Sequence, residues 1–368
     1  MRVALLTYST KPRGGVVHTL ALAEALARTG VDVDVWTLAR GGDRTFFRAV
    51  DPAVGLRPVP FPDVPGEAVG ARILRSIRTL RDALRGADYD VVHAQDCISA
   101  NAALAAGLRC LRTIHHLDTF TTPELVACHD RAVLEPAGHV CVSEAVAREV
   151  REQYGVQPVV IANGVDAGRF ERAASSTAAS QRDRWTDQLG EYVLAVGGIE
   201  PRKGSIDLLE AYALLRSRHP HPHPHLRLVL AGGETLFDYR DYRAVFDQRA
   251  HELGVEPTLL GVVDDDALPS LVAAAQAMAF VSTKEGFGLA ALEALAAGVP
   301  VVARDLPVLR EVFGSTVSFA SDPTGMADAF DRILSGRTDV RPGRALARSY
   351  TWDAAAQAHL QVYAGHAS

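Results

Sequence analysis

Short runs of aliphatic and β-branched residues alternate with segments whose apolar residues recur every three or four positions, and this alternation continues through most of the chain. In the first half the strand-like runs fall at residues 2–7, 31–36, 91–93, 112–115, 140–142 and 159–161. In the second half they fall at 192–196, 226–230, 258–260, 277–281 and 299–303. Helix-period segments such as 16–27 and 145–153 lie between them. The strands are apolar almost throughout, so both of their faces must be covered. Repetition of strand, helix and strand with this character predicts an α/β fold of parallel sheets wrapped by helices.

At 368 residues the chain exceeds what one hydrophobic core usually serves. The alternation breaks at 171–188, ERAASSTAASQRDRWTDQ, which is small and polar without an apolar period and predicts a linker. Residues 1–170 are therefore expected to form one doubly wound, Rossmann-like domain and 189–351 a second, facing across a cleft. A helix at 352–368 is expected to pack back on the first. Hydrophobic residues make up 48% and charged residues 22%, which excludes disorder and collagen-like structure. With 38 Lys and Arg against 44 Asp and Glu, the net charge of −6 gives no global pull towards nucleic acid, so any phosphate site must be local. Residues 1–8 turn polar after one short apolar run, and no stretch approaches the roughly 20 apolar residues that cross a bilayer. Cys97, Cys110, Cys128 and Cys141 form no C-x-x-C pair. A cytoplasmic protein with reduced thiols is the expectation.

Three tracts invite a functional reading and each has a plainer one. Residues 219–225 alternate His and Pro, but proline keeps the imidazoles off a common helix face, and a solvated loop is expected. Asp264, Asp265 and Asp266 open a helical segment, where carboxylates suit the helix dipole. Val69, Ile73, Ile77, Leu80 and Leu84 form a helical stripe flanked by Arg72, Arg75, Arg78, Arg81 and Arg85. Such a helix can lie on an anionic membrane or cover a sheet, and because the parallel sheet needs helical covers the second role is favoured.

Glycines between a strand and a helix let backbone N–H groups approach an anion. Gly14 and Gly15 occupy that position after the first strand, without the G-x-G-x-x-G fingerprint of dinucleotide sites. The second domain opens with Gly197-Gly198-Ile-Glu-Pro-Arg202-Lys203-Gly204. Two cations at a helix start oppose its dipole, which an anionic ligand such as a diphosphate would explain. The most informative stretch runs from Ser282 through Glu285, Gly286, Phe287, Gly288 and Leu289 to Glu293 and Pro300. At about 1.5 Å rise per helical residue the two carboxylates stand roughly 10 Å apart, which suits two ends of one extended ligand and is too far for a shared proton.

This stretch resembles the E-x7-E signature of retaining glycosyltransferases of family 4, which adopt the GT-B fold. Gly14-Gly15 resembles that family's N-terminal glycine loop, Gly197 to Gly204 its phosphate loop, and Asn163-Gly164-Val165-Asp166 the segment that commonly closes its first domain. The resemblance implies that Glu293 holds the ribose of a nucleotide sugar, UDP- or GDP-linked, while Glu285 faces the donor sugar. It places Gly14, Gly15, Gly198, Gly286, Phe287, Gly288 and Leu289 against the donor and Arg202 and Lys203 on the leaving diphosphate. Many relatives carry Arg directly after the first glycine of the phosphate loop, where this chain has Gly198, so Arg202 would supply that charge. His115 matches a histidine beside the transferred sugar. His116, Asp118 and Phe120 after the same strand, and Asp96 after the strand at 91–93, are acceptor-side candidates, although Asp96 can equally cap a helix. The implied reaction is metal-independent transfer with retention to a small-molecule, glycan or lipid acceptor, with no protein nucleophile. A GT-B sugar-nucleotide 2-epimerase and a non-catalytic sugar-nucleotide or glycan binder are the rivals. Cytoplasmic placement, with peripheral contact at the inner membrane face as a variant, completes the expectation.

Overall fold

The computed structural model describes the chain apart from residues 43, 118–119, 121–122, 219–222, 224, 234–238, 337 and 367–368. Two compact units emerge, one of Met1–Gly164 together with the segment from Thr351, the other of Val165–Tyr350. The boundaries differ from the expected 170 and 351 because residues 171–188 are not a linker. They belong to the second unit, within the helices Ala167–Ala174 and Ala179–Leu189. Their polarity reflects one-sided packing: within the tract only Ala173 is buried, between the buried Phe170 and Leu189 that flank it, and the Trp185 indole donates to Ser270 Oγ at 3.0 Å.

In the first unit the described residues form a parallel sheet of β1 (Arg2–Leu6), β2 (Asp32–Arg40), β3 (Val54–Phe61), β4 (Val91–Ala94), β5 (Cys110–Ile114), β6 (Gly138–Cys141) and β7 (Val159–Val160). Its order is β3-β2-β1-β4-β5-β6-β7, so the winding reverses between β1 and β4. The second sheet contains β8 (Tyr192–Val196), β9 (Arg227–Ala231), β10 (Thr258–Gly261), β11 (Ala277–Phe280), β12 (Val301–Arg304) and β13 (Ser318–Ala320). Ordered β10-β9-β8-β11-β12-β13, it reverses between β8 and β11. Open parallel sheets take their ligands at such reversals, beyond the carboxyl ends of the strands.

Both edge strands β3 and β13 were absent from the sequence expectation. β3 carries Pro58 and Pro60, tolerable only because it lies at the sheet's edge. β13 is three residues long, too short for a period.

Helices cover the first sheet as the parallel pattern requires. Val16, Leu20 and Ala23 of the helix Gly14–Arg28 pack with Val3, Leu5, Val33 and Val35. Leu80 and Leu84 of the Arg-rich helix Val69–Leu84 pack with Leu6, Leu38 and Phe61. The apolar stripe of that helix is thus occupied by the sheet. Among the described residues no helix is long and apolar enough to cross a membrane. In the second unit, Leu208, Leu209 and Tyr212 pack with Met326 and Phe330.

Of the His-Pro tract, 219–222 and 224 lie outside the described residues, while His223 binds Glu191 at 2.9 Å and the Leu334 carbonyl at 3.0 Å. Asp264 leads into the helix Leu268–Ala274, accepting at its backbone carbonyl from the Leu268 N–H. The helix Trp352–Ala364 places Ala356 and Tyr363 in the first unit's core, and the Tyr363 hydroxyl bonds His93 Nδ1 at 2.8 Å.

Gly164 lies against the start of that helix, where a Cβ would stand 2.2 Å from the Trp352 backbone nitrogen. Backbone cannot yield as a flexible side chain does. Gly164→Ala should cost about 1–3 kcal/mol by overpacking, read in calorimetry as a melting temperature lowered by several degrees. An unchanged melting temperature would refute this close approach.

Candidate active site

The reversal between β8 and β11 gathers the second unit's chemistry. β8 runs into Gly197 and Gly198, a short 3-10 turn at Pro201–Lys203, and Gly204, which starts the helix Ser205–Ser217. Gly204 adopts φ 65°, and a Cβ there would stand 2.4 Å from the Val281 carbonyl oxygen. The loop after β8 is therefore pressed onto the loop after β11. Two hydrogen bonds to the Arg202 carbonyl fix the contact, from the Thr283 N–H at 2.8 Å and its hydroxyl at 3.2 Å.

That contact brings opposite charges together. Lys203 Nζ donates to Glu285 Oε1 at 2.7 Å, and Arg202 reaches the same oxygen at 3.3 Å. Arg202 also pairs with Glu200 at 3.0 Å. Burial alone would raise the Glu285 carboxyl, but Lys203, Arg202 and Ser282 outweigh it and hold the pKa near about 2. The cations at the helix start thus carry their own carboxylates.

Past Glu285 the chain turns through Gly286 and Phe287 to Gly288, which begins the helix Leu289–Ala297 at φ 112°. A Cβ on Gly288 would meet the Phe313 ring at 2.8 Å. No side chain caps this helix, so its first N–H groups are left for water or ligand. Phe287 is buried edge-to-face on Tyr350, with ring centroids 5.3 Å apart, and can offer a ligand only its backbone. Leu289 occupies the first helical turn.

Glu293 lies further along the same helix and is half-buried. Its carboxyl is raised to about 8, first by burial and also by Asp265 and Asp166, with Arg169 opposing. Arg169 is committed to Asp265 at 2.7 Å. Asp166 of the N-G-V-D segment and Asp265 of the aspartate run therefore share an environment with Glu293. The sequence displayed both but gave no sign that they meet.

In the first unit the reversal lies between β1 and β4. Gly14 and Gly15 open the helix Gly14–Arg28; a Cβ on Gly14 would meet nothing, and one on Gly15 only the His115 ring at 3.6 Å. Neither glycine has positive φ. Backbone conformation and packing therefore leave room for a side chain here, and none is used.

His115 follows β5. Burial first, then His18, Arg112, His116 and His93, push its pKa well below 6.5, so the imidazole is neutral at physiological pH. Its Nε2 has no hydrogen-bond partner among the described residues. Behind it stands His18, edge-to-face with centroids 4.8 Å apart and held by Asn163 at 2.8 Å, a support that no motif announced. His116 is half-buried beside it. Asp96 caps the helix Cys97–Ala105, accepting from the Ser99 N–H at 2.8 Å and the Tyr8 N–H at 3.0 Å, so its oxygens serve the fold. Asp118 lies outside the described residues, while Phe120 stacks on His129 with ring centroids 5.6 Å apart.

Two parallel-sheet units with polar groups at each reversal are suited to hold ligands there, and comparison with known proteins gives the class: a glycosyltransferase of the GT-B fold. Residues 12–169 match Glycosyltransferase Family 4, and 180–345 match Glycosyl transferases group 1. D-inositol 3-phosphate glycosyltransferase of Xylanimonas cellulosilytica is 30% identical, covering 99% of this chain and 96% of that protein. Its counterpart from Salinispora tropica is 28% identical, covering 98% of this chain and 85% of that one. Among solved structures, sucrose-phosphate synthase from Thermosynechococcus elongatus superposes with a TM-score of 0.79 at 20% identity, covering 99% of this chain and 98% of that chain. Anabaena HepE in complex with UDP-glucose gives 0.73 at 19%, covering 99% and 100%. The chain belongs to glycosyltransferase family 4.

Two outcomes test the site. Glu293 binds its proton more tightly folded than unfolded, so stability should fall as pH rises from about 4.5 towards about 8. Glu293→Gln should remove that slope, its melting temperature gaining on the wild type as pH rises; parallel curves would contradict the raised carboxyl. Lys203→Ala strips Glu285 of its nearest counter-charge and should lower the melting temperature. Adding Glu285→Gln should recover most of that loss, and a double variant no more stable than Lys203→Ala would sink the pairing.

Proposed function

We propose that the chain transfers a sugar from a uridine- or guanosine-diphosphate sugar to a hydroxyl of a small acceptor, with retention at the anomeric carbon and without a metal. One observation carries this: Lys203 and Arg202, gathered on Glu285, accompany an uncapped helix start in the same unit. A departing diphosphate needs positive potential that is already in place, and charged side chains and backbone N–H groups supply it without reorganising. Glu285 holds the Lys203 ammonium in position before the donor arrives. Glu293, whose carboxyl has no hydrogen-bond partner among the described residues, suits the paired hydroxyls of a ribose.

The first unit supplies the acceptor side. Gly14 and Gly15 leave space at a helix start, and the neutral His115 offers an unpaired ring nitrogen to a sugar hydroxyl. The departing phosphate oxygen takes the acceptor's proton as the new glycosidic bond forms and the bond to phosphate breaks, so no side chain serves as nucleophile. UDP-glucose in the HepE structure and the name of the inositol phosphate relatives make a uridine donor and inositol 3-phosphate the first pair to assay.

Calorimetry with UDP and GDP tests the donor. One base should bind, and Glu293→Ala should weaken it about 10- to 100-fold, as expected for the loss of two hydrogen bonds. Lys203→Ala/Glu285→Gln, the refolded pair, should still lose about 100-fold in kcat. NMR of the product should show the donor's anomeric configuration, and turnover should persist in EDTA. Binding of neither nucleotide, an inverted product or EDTA-abolished turnover would each overturn its part; epimerised donor released without acceptor would replace transfer with epimerisation.

A further inference from the structure

Arg304 is the last residue of β12, and its side chain is largely buried. The guanidinium divides its three nitrogens among three elements. Nε donates to the Val281 carbonyl at 2.9 Å, Nη1 to the Ser321 carbonyl at 3.1 Å, and Nη2 to Asp207 Oδ2 at 2.5 Å. Val281 and Ser321 each stand one residue beyond β11 and β13, the two neighbours of β12 in the sheet. A carbonyl past the end of its strand must find a donor outside the ladder, and Arg304 supplies one to both. Asp207 lies in the first turn of the helix Ser205–Ser217, into which the turn of Arg202, Lys203 and Gly204 leads.

These contacts meet at the junction that brings Lys203 to Glu285. A Cβ on Gly204 would stand 2.9 Å from Arg304 Nη2 as well as 2.4 Å from the Val281 carbonyl oxygen. The oxygen that Gly204 approaches is thus the one that Arg304 Nε holds. On one side Arg304 anchors the helix start that follows Lys203, and on the other the strand end that leads to Ser282 and Glu285. None of its three acceptors belongs to the cluster of Lys203, Arg202 and Glu285, so it acts on that cluster through backbone and helix position. A planar fork with fixed N–H directions suits acceptors that must keep their mutual geometry. A lysine ammonium presents its donors from one point on a flexible stem and cannot replace it.

We infer that Arg304 is a positioning residue for the donor site: it fixes the turn bearing Arg202 and Lys203 against the loop bearing Glu285, and thereby sets how tightly the second phosphate of a nucleoside diphosphate is held. The hold on the cluster stands on the contacts above, and the effect on the phosphate rests on the proposed donor reading. A displacement of about 1 Å can cost about 100-fold in rate, so a residue that touches no ligand can still govern one.

Two readouts test the assignment. A double-mutant cycle of Lys203→Ala and Glu285→Gln, read from melting temperatures, measures the coupling of that pair. Most of this coupling should vanish in an Arg304→Lys background. Calorimetry of UDP against UMP, with GDP against GMP in parallel, reads the second phosphate. The wild type should prefer one diphosphate over its monophosphate. Arg304→Lys should reduce that preference about 10-fold and leave monophosphate affinity unchanged. Phe330→Leu, a change in the core of the same unit, should lower the melting temperature without altering either readout. Should Arg304→Lys fail to fold, Asp207→Asn should shift both readouts in the same direction by less. Coupling that survives in Arg304→Lys, or that falls equally in Phe330→Leu, would overturn the positioning role. Lost coupling with an undiminished diphosphate preference would overturn the hold on the phosphate. A wild type that prefers neither diphosphate, with coupling still dependent on Arg304, would leave the positioning role standing and remove the donor reading.

Discussion

The second unit's chemistry depends on a carboxylate placed between two cations. Glu285 is held ionised by Lys203 and Arg202 although burial opposes it, and each partner would be costly to leave alone. Because the pair joins the loop after β8 to the loop after β11, it locks the two connections that flank the sheet reversal. Gly204 permits this closeness, since any side chain there would meet the Val281 carbonyl. Rigidity and positive potential thus come from one contact. The proposed task of steadying a leaving diphosphate would gain from charges already in position.

The same topological rule operates in both sheets with different furnishings. In the second unit the reversal is crowded, with loops pressed backbone to backbone and charges paired within them. In the first it is open: among the described residues nothing lies within 4 Å of a Cβ placed on Gly14, and His115 Nε2 has no hydrogen-bond partner. A crowded reversal suits a ligand whose recognised part is constant, as a nucleotide diphosphate is. Open loops suit a partner that varies among related enzymes.

Much of this was legible because it rests on local patterns. Apolar strands and helix-period segments specify two parallel sheets, and the glycines at 14–15, 197–198 and 286–288 mark strand-to-helix turns. Two of the four edge strands escaped because Pro58 and Pro60 in β3, and the three residues of β13, carry no strand signature. Residues 171–188 resembled a linker because their helices bury few side chains. Asp96 left two roles open, and its hydrogen bonds to Ser99 and Tyr8 place it with the fold. The neighbourhood of Glu293 was hidden for another reason. It joins residues far apart in sequence, and such meetings depend on tertiary packing.

The second unit is an insertion in the first. Val165–Tyr350 is synthesised before the helix Trp352–Ala364, whose Ala356 and Tyr363 belong to the core of Met1–Gly164. During translation the inserted unit has all its own strands while the earlier one still lacks part of its core. The unit that is started first therefore finishes second, and until then it exposes apolar surface that a chaperone must recognise or a neighbouring chain can capture.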